Sequence, residues 1–165
     1  MSGTEAEARI KINKMLEEAG WRLCDDENGK KNVDLETATK VRRNEQERKG
    51  VIDYLLLDSH NFPLCVLEAK KESINPLSAK DQARAYAEAQ GIRFVILSNS
   101  QIHYLWDIKS GNPQVITTMP SQESLENKKE FKLNPQNLTS VDIIPEYVYT
   151  YNVNSKSWGK VPWSR

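Results

Sequence analysis

Cysteine and histidine are almost missing from these 165 residues, with two of each: Cys24 and Cys65, His60 and His103. Two cysteines cannot build a disulfide framework, and no Cys-x-x-Cys or His-Glu-x-x-His spacing offers a zinc cage. Long apolar runs are lacking too. None reaches the roughly eighteen residues that mark a membrane span, and no basic-then-apolar signal segment opens the chain. The expectation is a soluble, cytoplasmic protein without membrane contact. Net charge is zero, 23 basic residues against 23 acidic, so no global positive field advertises nucleic acid and any such site must be a local patch. The length suits one domain with one core.

The chemistry that is present concentrates in Val51 to Lys71, VIDYLLLDSHNFPLCVLEAKK. Two apolar runs, Val51 to Leu57 and Leu64 to Ala69, flank a polar Ser59-His60-Asn61 segment that suits a hairpin turn. Both runs are near-continuously apolar, as in strands covered on both faces, with Cys65 as a small buried residue. Asp53, Glu68 and Lys70 interrupt them. Period-two geometry puts Glu68 and Lys70 on one face, and a loop at Ser59 to Phe62 sets Asp53 opposite Glu68. A generic hairpin would carry these charges on a solvated face. In doubly covered strands they cost several kcal/mol unless paired or bound to a metal, which favours a functional cluster.

The flanking segments add to this. Thr4-Glu5-Ala6-Glu7 fits a capping box that opens a helix to about Ala19, with Gly20 as its stop. Ala8, Ile12, Met15, Leu16 and Ala19 form the apolar stripe. Glu5 lies at its edge, either as a site member or as a first-turn acid favoured by the helix dipole. Trp21 to Cys24 reads as a short strand, followed by a polar stretch to Lys49. Arg42 and Arg43 sit there in a basic cluster that is either a solvated loop or an arm binding phosphates without reading sequence. Ser78 and Asp81 mark a second helix ending at Gly91. Gln82 and Tyr86 lie one turn apart on it, as packing residues or as part of the site. Phe94 to Ser98, Ile102 to Trp106 and Val115 to Thr118 extend a sheet, with Asn99 and Ser100 as turn residues and Trp106 in the core or an interface. Leu125, Phe131 and Leu133 cover a sheet edge or pack a short helix, and Pro145 to Tyr151 is one more strand-like run.

Asp53 followed by Glu68-Ala69-Lys70 resembles the PD-(D/E)xK nuclease signature. Together with Thr4 to Arg9, Ala19-Gly20-Trp21, Gln82-Ala83-Arg84-Ala85-Tyr86 and Leu97-Ser98-Asn99, it is similar to the amino-terminal nuclease domain of type I restriction enzyme R subunits over about residues 4 to 110. The resemblance implies an α/β restriction-endonuclease-like core with a mixed central sheet flanked by helices. Polar residues dominate from Pro120 onward, so the nuclease-like domain is expected over 1–120 and an extension or linker over 121–165. The resemblance also implies Mg²⁺ on Asp53 and Glu68, with Glu5 as a further candidate ligand, Lys70 as the third signature residue, and Gln82 with Tyr86 in support. Double-stranded DNA would be the substrate, alongside modification and specificity subunits. No phosphate loop occurs here, so ATP would act only through a motor region outside this chain. The competing expectations are a nuclease-like module that binds DNA or a subunit without cutting, and a stand-alone repair nuclease.

Overall fold

Thr4 caps the first helix as its sequence dictates. Its hydroxyl accepts from Glu7 N at 3.2 Å, and the Glu7 carboxylate accepts from Thr4 N at 2.6 Å. Helix α1, Glu5–Glu18, buries Ala8, Ile12 and Leu16. Met15 and Ala19 pack at the margin of the core, and Gly20 turns the chain at φ 88°. The computed structural model describes residues 4–27, 29–43, 46–130, 149–152 and 157–160, with the side chains of 41–48 and of the last two segments outside that description.

Strands β1 (Val33–Arg43), β2 (Gln46–Leu57), β3 (Pro63–Ala69), β4 (Phe94–Ser98), β5 (His103–Asp107) and β6 (Gln114–Ile116) form one sheet in sequence order. Neighbours are antiparallel except β3 and β4, which run parallel. A parallel pair needs a crossover. It is supplied by a 3-10 turn at Pro76–Ala79 and helix α2, Lys80–Ala89. Helix α3, Gln122–Glu130, follows the sheet.

Helices cover both faces, which is why the central strands are nearly all apolar. On one side Ile12 and Leu16 of α1 and Leu125 of α3 pack with Trp21, Tyr54, Leu56, Cys65, Leu67, Phe94 and Ile96. On the other, Ala83 and Ala87 of α2 pack with Ile52, Leu55, Val66, Val95, Leu97 and Trp106. Each large side chain so buried contributes about 1.5–3 kcal/mol. Cys65 is fully buried while Cys24 is exposed. Trp106 is a core residue, and Lys80 stands 4.8 Å from its ring centroid.

Three sequence expectations are corrected. Trp21 to Cys24 is not a strand. Trp21 is buried and donates from Nε1 to Pro120 O at 2.8 Å, while Asn32 ties this segment down by accepting from Arg22 N at 2.7 Å and donating to Arg22 O at 3.0 Å. The polar stretch before the hairpin is no loop, because Val33–Arg43 pairs with β2 on both sides of Glu36, from Val33↔Leu56 to Arg43↔Gln46. Ser78 does not cap α2. Asn75 caps the preceding 3-10 turn by accepting from Leu77 N at 3.0 Å, and α2 continues from that turn without a side-chain cap.

Two turns follow the sequence reading. In the β2–β3 hairpin Asn61 takes φ 62°, and Asp58 Oδ1 accepts from His60 N and Phe62 N at 3.0 and 2.9 Å. Asn99 Oδ1 accepts from Gln101 N and Ile102 N, and its Nδ2 donates to the carbonyls of Glu72 and Ile74, which ties the loop after Lys70 to the β4–β5 turn. Among the described residues no helix is long and apolar enough to cross a membrane. The chain divides into two compact units, Met1–Phe131 and Lys132–Arg165. The second contains an antiparallel pair, β7 (Tyr149–Asn152) and β8 (Ser157–Lys160). Phe131, Leu133 and residues 145–148 of the Pro145 to Tyr151 run lie outside the described residues.

Candidate functional site

Asp53 sits where the regularity of β2 fails. A strand puts residues two apart on one face, yet Ile52 packs in the α2-side core and Tyr54 in the α1-side core. The ladder skips the same place. Pairing passes from Leu35↔Tyr54 to Thr37↔Ile52 on one side, and ends at Tyr54↔Leu67 on the other. Glu36, the residue that would face Asp53 across β1–β2, takes φ 48°, a left-handed backbone uncommon outside glycine. The backbone irregularity turns two successive side chains toward α1. Tyr54 Oη donates to Asn13 Oδ1 at 2.8 Å, and Asp53 Oδ1 accepts from Arg9 Nη2. Asp53 Oδ2 accepts from Ala69 N at 2.9 Å, which locks the carboxylate onto the end of β3.

Glu68 is only 3% exposed. Its Oε1 accepts from Lys70 Nζ at 2.9 Å and from Gln82 Nε2 at 3.1 Å, while its Oε2 is buried with no partner. Gln82 Nε2 also donates to Tyr86 Oη at 3.1 Å. The helical spacing of Gln82 and Tyr86 is therefore used as a relay toward Glu68. Tyr86 reaches its place because β2 has no side chain at Gly50, where a Cβ would stand 2.6 Å from Tyr86 Cε1.

The electrostatics follow from this packing. Burial first, then the charge of Asp53, push the Glu68 carboxyl up to about 7, against the opposing pull of Lys70. Burial works against the Lys70 ammonium, but the hydrogen bond to Glu68 and the charges of Glu68, Asp53 and Glu5 outweigh it, and its pKa is raised. Burial raises the Tyr54 hydroxyl to about 12, so it remains a neutral donor near neutral pH. Lys71 is exposed.

The structure thus brings together Asp53, Glu68, Lys70, Gln82 and Tyr86. Glu5 is half exposed and meets the cluster through Arg9, whose Nη2 is 3.6 Å away. Arg42 and Arg43 belong to the far end of the β1–β2 hairpin, and their side chains lie outside the described residues. Among the described residues no group of three or more His, Cys, Asp or Glu side chains is arranged to hold a metal. Any cation here would rest on two carboxylates, backbone oxygens and water, a set that suits Mg²⁺ and not zinc. Arg9 is the residue that sequence reasoning missed. Its signal was its place one helical turn after Glu5, which points it along the same edge of α1.

The chain matches the family model described as Type I restriction enzyme R protein N terminus (HSDR_N) over residues 24–121. Among solved structures it is similar to a fragment of a protein described as an HsdR subunit of a type I restriction enzyme from Vibrio vulnificus YJ016, with 26% identity and a TM-score of 0.64. That likeness covers 78% of this chain and 26% of the other. No curated protein matches the chain.

Proposed function

We propose, on the premise that this chain belongs to the family of type I restriction enzyme R protein amino-termini, that it performs divalent-metal-dependent hydrolysis of DNA phosphodiester bonds within a restriction system. The observation that carries the reading is Glu68, which keeps one buried carboxylate oxygen without a partner next to Asp53. Leaving such a group unsatisfied costs about 1–3 kcal/mol or more. A hard cation relieves that cost, and the all-oxygen donor set fits Mg²⁺.

Asp53 and Glu68 are the residues that would hold the ion, with Glu5 as an outer candidate. Bound there, Mg²⁺ supplies charge neutralisation at the phosphate and a lowered pKa for the attacking water. The chain's own residues do the rest. Lys70, kept charged by Glu68, orients the water and offsets negative charge growing on the phosphoryl oxygens. Gln82 fixes the rotamer of Glu68, and Tyr86 fixes Gln82. Arg42 and Arg43 are proposed as phosphate contacts that add affinity without base readout. Choice of sequence is assigned to specificity and modification subunits, and ATP-driven delivery to a motor region outside this chain. The setting is the cytoplasm.

Calorimetric titration with Mn²⁺ tests the site. Asp53→Asn and Glu68→Gln should each weaken binding at least about tenfold, or 1.4 kcal/mol. Lys70→Ala should retain the metal but lose about a hundredfold or more in DNA cleavage by the assembled enzyme. Unchanged binding in both carboxylate variants sinks the assignment. The ion pair between Arg9 and Asp53 favours a second reading, a nuclease-like module that docks DNA without cutting. Wild-type protein that releases no heat with Mn²⁺ would select it.

A further inference from the structure

The carboxylates of the proposed cation site are in different states. Glu68 keeps a bare oxygen, whereas both oxygens of Asp53 are engaged, Oδ2 by Ala69 N and Oδ1 by Arg9 Nη2. The positive charge that meets Asp53 directly is therefore the Arg9 guanidinium. Arg9 is also held from a second direction, since its Nη1 donates to Glu36 Oε1 at 3.1 Å. Its Nη2 lies 3.6 Å from Glu5 Oε1, and its Nε is buried without a partner. Glu36 occupies the missing rung beside Asp53 on a left-handed backbone, an uncommon state for a residue with a side chain. The irregularity thus falls at the position that offers Arg9 an alternative carboxylate.

We infer that Arg9 competes with the divalent cation for Asp53: its guanidinium neutralises the carboxylate until a cation loads, then yields Oδ1 and withdraws onto Glu36 with Glu5 alongside. This rests on the metal-dependent reading above. A guanidinium cannot stay on an oxygen that a dication takes, because like charges at that distance repel strongly in a partly buried site. The withdrawal is short, because one nitrogen of the same guanidinium already bonds Glu36 and acts as the pivot. Glu36 is then a positioning residue that acts through Arg9, without holding the metal.

The test is a double-mutant cycle in Mn²⁺ affinity, read by calorimetry on the full chain. Arg9→Met should bind Mn²⁺ about tenfold more tightly than wild type, because the competitor is gone. Glu36→Gln should weaken binding about fivefold in the wild-type background, because Arg9 has lost its alternative partner, and should change nothing in the Arg9→Met background. Loss of a metal ligand or of bulk negative charge would instead weaken both backgrounds equally, which overturns the inference. Equal affinity in wild type and Arg9→Met overturns it while leaving the metal site standing. No Mn²⁺ binding by either protein removes the metal-dependent reading and this one with it. The Glu36 side chain is 69% exposed, so Glu36→Gln is expected to fold even if Arg9→Met does not. Unchanged affinity in Glu36→Gln alone is enough to refute the competition.

Discussion

A carboxyl whose pKa stands near 7 gives one residue two opposite pH trends. Glu68 is raised from 4.5 to about 7 by burial and by the neighbouring charge of Asp53. Its folded value lies above its unfolded one, so the stability tied to its proton is fully present below about pH 4.5 and lost as pH rises through about 7. Cation binding needs the ionised form and runs the other way. Mn²⁺ affinity of the wild-type chain should climb about tenfold between pH 6 and pH 8, and Glu68→Gln should flatten the profile. A calorimetric series across that range checks both, and a pH-independent wild type would contradict the assignment. At this scale much of the candidate site was legible. Asp53, Glu68 and Lys70 stood out because charge is costly inside doubly covered strands, and Gln82 and Tyr86 because they share a helix face. Arg9 was hidden because an arginine on an amphipathic helix ordinarily belongs to solvent, and its partner across the sheet is set by tertiary packing.

At the scale of elements, the decisive fit is between α2 and β2. Tyr86 fills the space left by the missing side chain at Gly50, and through Gln82 it steadies Glu68. Gly50→Ala should therefore push the ring aside and lower stability by about 1–3 kcal/mol, as overpacking does. Adding Tyr86→Ala should recover most of that loss in a thermal-melting cycle. Additive losses would mean that the two positions do not touch. The β2–β3 hairpin, the β4–β5 turn and α1 were readable because local chemistry agrees with the fold: a capping box, Asn in turns, apolar runs. Strand β1 was not readable. Val33, Leu35, Thr37, Thr39 and Val41 alternate with Asp34, Glu36, Ala38 and Lys40, a period-two signal, but the polar residues of a strand at the edge of the sheet dilute its apolar content. The kink at Asp53 carries no sequence mark either, since strict alternation through Ile52, Asp53 and Tyr54 is what the sequence suggests.

For the whole molecule, the mixed sheet with helices on both faces is what the family resemblance implied, whereas the element order read from the residues alone lacked β1. The activity of an assembled enzyme does not follow from the fold, since the chain spans 26% of the HsdR chain it resembles. Ligand linkage reaches the entire fold. If Mn²⁺ binds only the folded chain, a concentration near a hundred times its dissociation constant adds about 2.7 kcal/mol. That raises the melting temperature by on the order of 10 °C for a unit of this size, and at the same Mn²⁺ concentration Asp53→Asn, binding at least about tenfold more weakly, should lose about half of the rise or more in differential scanning calorimetry. The two cysteines extend the same view to time. Cys24 is open to solvent, whereas Cys65 lies at the centre of the sheet with its thiol pKa pushed up by burial. An alkylating reagent meets the first thiol immediately and the second only when β3 parts from its neighbours. The slow step then reads out how often the central strand opens, and so how long Asp53 and Glu68 stay in register between openings.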